Sequence, residues 1–239
     1  MNETTNIAMP PPVPPAAMLY QHLTDQFQAD PDLRFQHGTA LLQLGRTEEG
    51  IADLTRALAQ KPDQPMALAH LGNGLRDQGY LQEAIDKYSR AIALKPGYAM
   101  AFYNRANVRY ELKDMVGALA DYDQAIALRP EMIEAYINRG SLLHGLGQTA
   151  RALADFDRVV ALQPDHAENH NNRGTILLAL DRPADALASY DKALALRHDY
   201  AEAHKNRGNA LEALGRRAEA LEAFRHACAI RPDLSQSLL

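Results

Sequence analysis

The sequence predicts an all-α fold built from tandem helix pairs, and three observations carry that prediction. First, proline-ended segments recur in phase: Pro62, Pro96, Pro130 and Pro164 are 34 residues apart, Pro232 lies two periods further on, and His198 stands at the skipped place. Six units of 34 residues then run without insertion from 31 to 234. Second, four columns repeat inside the unit. Position 8 holds Gly38, Gly72, Ala106, Gly140, Gly174 and Gly208, and position 20 holds Gly50, Ala84, Ala118, Ala152, Ala186 and Ala220. Position 24 is large (Leu54, Tyr88, Tyr122, Phe156, Tyr190, Phe224) and position 27 is small (Ala57, Ala91, Ala125, Val159, Ala193, Ala227). Third, apolar residues fall at helical spacing in both halves of a unit, as in Leu68, Leu71 and Leu75, then Ala84, Ile85, Tyr88, Ala91 and Ile92. A fixed period of this length is the mark of a repeat architecture.

Each unit therefore reads as helix, turn, helix. Gly45, Gly79, Gly147 and Gly215 sit between the halves, where glycine accepts the left-handed backbone that closes a helix. The proline at position 32 ends the second helix because it has no N–H to donate. Small residues at positions 8 and 20 let the two helices approach, the large residue at 24 fills the space beside them, and the small one at 27 receives the next helix. Overfilling such a site typically costs about 1–3 kcal/mol. Ahead of the repeats, residues 1–15 form a proline-rich tail expected to be disordered, with Pro10 to Pro15 as a lesser candidate polyproline ligand. Residues 16–30 place Met18, Leu19, Leu23 and Phe27 at helical spacing and predict a capping helix. The units are 31–64, 65–98, 99–132, 133–166, 167–200 and 201–234, followed by a short tail at 235–239.

This pattern resembles the tetratricopeptide repeat family, over residues 31–234. The resemblance implies a right-handed α-solenoid of six tandem helix-turn-helix repeats with a concave inner face. It also implies that the first helix of each unit lines that face, mainly through positions 2, 5, 6, 9, 12 and 13. Arg34 at position 4, Gly50 at position 20 and Arg109 at position 11 depart from the family pattern.

Composition narrows the function classes. The chain of 239 residues has a net charge of −5, which argues against a nucleic-acid partner and an anionic membrane surface, since both demand a Lys/Arg excess. A single cysteine, Cys228, allows neither an intrachain disulfide nor a cysteine-rich metal site. No apolar run approaches the roughly 18 residues of a membrane span. No Lys or Arg precedes Arg34, so export and mitochondrial signals lack their basic residues and a cytoplasmic location is expected. Enzyme motifs are not apparent: Gly72-Asn73-Gly74…Gly79 lacks the spacing of a dinucleotide loop, and His166, Glu168 and His170 stand in the wrong order for a zinc helix. No enzyme activity, cofactor or metal is expected.

Chemistry is expected on the inner face. Position 6 holds Gln36, His70, Asn104, Asn138, Asn172 and Asn206, and position 9 holds Thr39, Asn73, Asn107, Ser141, Thr175 and Asn209. A carboxamide offers a donor and an acceptor together, which matches a peptide bond. The ladder is similar to that of the repeats of protein O-GlcNAc transferase, and an extended chain could be held by its backbone. The alternative is a purely structural role in helix packing. Arg76, Tyr103 and Lys205 complete the candidate partner-binding set of His70, Asn73, Asn104, Asn107, Asn138, Asn172, Asn206 and Asn209. Lys205 and Asn209 match the opening pair of the carboxylate clamp of chaperone-binding repeats. Glu134, Glu168 and Glu202 have the wrong charge for the rest, so acidic tails are disfavoured. Arg105, Arg139, Arg173 and Arg207 at position 7 are expected to pair with the aspartates of position 25 (Asp123, Asp157, Asp191) rather than to hold phosphate.

The function expected is a non-catalytic interaction scaffold that binds a protein or peptide segment in its groove. Two alternatives stand beside it: the substrate-recognition module of a larger enzyme such as a glycosyltransferase, and a self-assembling structural protein. Too few residues follow Pro232 to cover the last repeat, which suggests a homo-oligomer through the C-terminal repeat or a longer natural chain.

Overall fold

A computed structural model describes residues 29–233. The tail at 1–15, nearly all of the expected capping helix over 16–30 and the tail at 235–239 lie outside them. The described residues contain twelve α-helices and no strand. They are α1 Pro31–Gln43, α2 Thr47–Gln60, α3 Pro65–Asp77, α4 Leu81–Leu94, α5 Ala99–Glu111, α6 Met115–Leu128, α7 Ile133–Gly145, α8 Thr149–Leu162, α9 Ala167–Ala179, α10 Pro183–Leu196, α11 Ala201–Ala213 and α12 Arg217–Ile230. Every first helix occupies positions 1–13 of its 34-residue unit and every second helix positions 17–30. No described helix is long and apolar enough to cross a membrane.

The chain divides into two compact units, one up to Pro96 and one from Gly97. In the first, α1 to α4 stack in chain order, and in the second α5 to α12 do the same. Within each pair the small–large logic of the sequence is realised. Leu54, Tyr88, Tyr122, Phe156 and Tyr190 at position 24 are all buried, and each lies against the small residue at position 8. A β-carbon placed on Gly72 would stand 2.7 Å from the Tyr88 ring, and one on Gly140 3.0 Å from Phe156.

One hydrogen-bond motif closes all six first helices. The N–H of position 15 donates to the carbonyl of position 12, and the N–H of position 16 to that of position 11, as in Gly45 to Leu42 (3.1 Å) and Arg46 to Leu41 (2.9 Å). This double closure requires a left-handed residue at position 15. Glycine supplies it at Gly45, Gly79, Gly147 and Gly215, but Lys113 (φ 63°) and Asp181 (φ 56°) adopt it as well. A side chain there costs about 1–2 kcal/mol, partly offset by the extra freedom glycine has when unfolded. Lys113→Gly and Asp181→Gly should each stabilise the second unit by up to about 1 kcal/mol, read as a rise in the denaturant midpoint at unchanged slope.

The structure places two of the three departures from the family pattern. Arg34 is buried at the start of α1, its N–H donating to Asp30 O at 3.1 Å. Arg109 donates to the Asp121 carboxylate at 2.8 Å and to Gly117 O at 3.3 Å. Asp121 is shared with Arg105, which grips both of its oxygens at 2.8 and 2.7 Å.

Candidate functional site

The site is built from the first helices of the second unit. Adjacent first helices touch through their polar side chains. Asn138 on α7 donates its amide to Asn107 Oδ1 (3.0 Å) and to the Tyr103 hydroxyl (3.1 Å), both on α5. Asn206 on α11 donates to Asn171 Oδ1 (3.0 Å) on α9. Position 6 thus reaches back to position 5 or 9 of the preceding repeat, and a polar strip runs across α5, α7, α9 and α11.

Position 24 reaches the same strip from behind. The Tyr122 hydroxyl donates to Asn107 Oδ1 at 2.6 Å, and in the first unit Tyr88 donates to Asn73 Oδ1 at 2.7 Å. Where position 24 is phenylalanine no such donor exists. Phe156 holds that position in the repeat of Ser141, and Phe224 in the repeat of Asn209. Tyr190 is bonded to Thr175, and its burial raises its phenol above the ordinary value.

These bonds sort the expected binding residues into two groups. Asn73, Asn107, Asn138 and Asn206 are engaged within the chain. Arg76 and Asn104 are partnered too. Tyr103 accepts from Asn138 and tilts against Tyr122, with ring centroids 6.1 Å apart. His70, in the first unit, lies 5.7 Å from the Phe35 ring, and burial lowers its pKa below the usual imidazole value. Against these, Asn172, Lys205 and Asn209 are half-buried and have no polar partner among the described residues. Ser141, on the same strip, is exposed, whereas Thr175 is engaged, donating to Asn171 O at 3.2 Å. The reading of position 6 and 9 as one uniform ladder therefore divides. Part of it is internal framework, and part is unengaged. At position 9 the exchange of Tyr for Phe at position 24 was the sequence signal for that division; at position 6 no such signal exists.

The arginine column is paired, as expected, but with two sets of aspartates. Arg139, Arg173 and Arg207 reach back to Asp123, Asp157 and Asp191 at position 25 of the preceding repeat, each at 2.6 Å. Arg105 and Arg139 also grip position 23 of their own repeat, Asp121 and Asp155. Arg139 thus ties two repeats together, and its two carboxylates raise its pKa against the opposing effect of burial. Of the position-2 glutamates, Glu168 is paired with His166 (2.8 Å) and with Arg197, whose guanidinium lies over the Tyr200 ring at 3.7 Å. Backbone hydrogen bonding, outweighing partial burial, together with Arg197 lowers the Glu168 pKa.

A further set of bonds had no counterpart in the sequence reading. At position 4, Tyr136, His170 and His204 bond to the linker carbonyls of Pro130 (3.3 Å), Pro164 (2.7 Å) and His198 (2.9 Å), pinning each first helix to the end of the preceding repeat. His170 is thereby accounted for as a structural donor. Among the described residues no group of His, Cys, Asp or Glu is arranged to hold a metal ion.

These features define a class: an α-helical repeat protein whose recurring geometry lies between helices and whose polar surface lies on one helix face. Family models confirm the assignment at the next level. Tetratricopeptide repeat models match residues 35–99 and 70–133, 112–174 and 165–233, and the chain belongs to the tetratricopeptide repeat family. No curated protein matches it significantly. Solved structures share the fold. YrrB, described as a TPR protein with an unusual peptide-binding site, is 24% identical over 77% of this chain and 95% of its own, with a TM-score of 0.69. The pilF protein of Pseudomonas aeruginosa is 21% identical over 84% of this chain and 92% of its own, with a TM-score of 0.70. MamA from Desulfovibrio magneticus is 22% identical over 71% and 96%, with a TM-score of 0.64. Family and fold support a protein–protein interaction module.

Proposed function

We propose that the chain is a non-catalytic interaction module that holds an extended segment of a partner protein along the first-helix face of its second unit. The observation that supports this most is the unengaged part of the polar strip. Asn172 and Asn209 present carboxamides without an internal partner among the described residues, and Lys205 stands between them in sequence. A carboxamide that donates and accepts suits a guest's backbone. Asn138 keeps its carbonyl oxygen for a guest N–H, since only its amide is used internally. Tyr103 and the exposed Tyr110 add apolar contact area at the α5 end. Glu134 and Glu202, both exposed, favour a guest with basic residues nearby. The peptide-binding site for which YrrB is described agrees with a peptide as guest.

The test is a peptide selected from a displayed random library against the full chain. Changing Asn172 and Asn209 together to Ala removes two hydrogen bonds of about 0.5–1.5 kcal/mol each. Affinity should fall about tenfold at unchanged thermal stability. Methylating single backbone nitrogens of the peptide should weaken binding more than replacing its side chains. Undiminished affinity in the double variant, or indifference to backbone methylation, would refute backbone recognition by this strip.

A further inference from the structure

At every internal junction of the second unit, the second helix of one repeat is covered by the first helix of the next. An aspartate at position 25 marks each junction: Asp123, Asp157 and Asp191 accept from Arg139, Arg173 and Arg207, each at 2.6 Å. The same junctions carry an apolar seam. Leu119 packs with Leu142, Leu153 with Ile176, and Leu187 with Leu211.

The last helix, α12, offers the same face with no described residue over it. Leu221, the counterpart of Leu187, is 52% exposed where Leu187 is 8% exposed. Phe224 is only half-buried, whereas Tyr122, Phe156 and Tyr190 at the same position are buried. Cys228, a free thiol, is half-buried beside them. The residue in the place of the junction aspartate is Arg225, so the charge is reversed. Arg217, Leu221, Phe224, Arg225 and Cys228 are spaced i, i+4, i+7, i+8 and i+11, and so share one helix face. Arg217 and Arg225 are exposed and have no charged partner among the described residues.

We infer that this face docks an amphipathic helix of a partner protein, one carrying a carboxylate where the internal first helices carry arginine. The internal junctions show the geometry that seats a helix there, and the reversed charge specifies what differs about this one. A second copy of the chain joined through the same face is disfavoured, because it would set Arg217 and Arg225 against their own equivalents. The terminal residues 234–239 contain no Asp or Glu and lack the side-chain carboxylate that Arg225 calls for.

The test uses two stapled helical peptides with the sequence of α11, residues 201–213, one unaltered and one with Arg207→Glu, titrated against the full chain by fluorescence anisotropy. The Glu peptide should bind about fivefold or more tighter than the unaltered one, a ratio that should fall with added salt. Arg225→Asp in the protein should invert the preference, and Leu221→Ser should weaken both peptides while the helical spectrum stays the same. Equal affinities, no binding of either peptide, or an Arg225→Asp variant that keeps the wild-type preference would overturn the inference. A dimer in sedimentation that Leu221→Ser dissolves would make a second copy the occupant. Tenfold tighter peptide binding after deletion of residues 234–239 would make the terminal segment the occupant. Either result also overturns it.

Discussion

Asp121→Ala should be among the most destabilising single changes in the second unit, lowering its stability by about 2–4 kcal/mol. The carboxylate is 4% exposed and is held by Arg105 (14% exposed) and Arg109 (25% exposed). Deleting it leaves two guanidinium groups partly buried with their central anion gone. Breaking a buried pair in this way costs about 3–5 kcal/mol, reduced here because both arginines reach water. Asp123→Ala is the control: its carboxylate is half-exposed, and Arg139 keeps Asp155. That change should cost less than about 1 kcal/mol. The chain itself shows that a repeat can dispense with the clamp, since repeat 2 has Leu71 and Lys87 at the equivalent positions. Replacing Asp121, Arg105 and Arg109 together by apolar residues should therefore recover most of the lost stability, because an ion cluster can be exchanged for packing at little net cost. Denaturant unfolding of the three variants measures all of this. An Asp121→Ala protein as stable as the wild type would show that the cluster is not held as described.

The second large effect is steric. Gly174→Val should destabilise by about 3 kcal/mol, while Gly174→Ala should stay within about 1 kcal/mol of the wild type. A β-carbon on Gly174 would lie 2.6 Å from the Tyr190 ring, which is 1% exposed and cannot swing outward. Ala106 shows what a single methyl requires. It occupies the same position opposite a buried Tyr122, so the ring can settle a few tenths of an ångström away. Alanine also gains about 0.8–1 kcal/mol over glycine in helix propensity, which offsets that shift. Valine adds two branches that the ring has no room to avoid, and it loses rotamer freedom in the helix. Comparable stabilities for the two variants would mean that position 8 does not set the spacing between the paired helices.

The architecture was legible because it is written in columns. Residues 34 apart meet equivalent neighbours, so Gly174, Ala186, Tyr190 and Ala193 declare their packing roles by recurring. Arginine–aspartate pairing was legible as charge complementarity, but not its direction. Whether Arg139 reaches Asp123 in the preceding repeat, Asp155 in its own, or both depends on the rotation of three helices, which composition does not encode. The polar strip was the least legible part. Asn107 and Asn209 occupy the same column, yet Asn107 is bound by Tyr122 and Asn138, whereas Asn209, in a repeat with Phe224 at position 24, stays unengaged. One hydroxyl on a residue 15 positions away decides between framework and free surface. The linker bonds of Tyr136, His170 and His204 were hidden for a related reason: three unlike side chains share one role, so no column announces it.

That division of the strip is most directly tested by a crossed comparison of Asn107→Ala and Asn172→Ala, each measured for thermal midpoint and for affinity toward the selected peptide. Asn107→Ala should lower the midpoint, because it strands the Tyr122 hydroxyl and the Asn138 amide. Asn172→Ala should leave the midpoint unchanged and weaken the peptide several-fold. The opposite pattern, with Asn172 governing stability and Asn107 alone governing affinity, would contradict the assignment of internal and guest-holding residues.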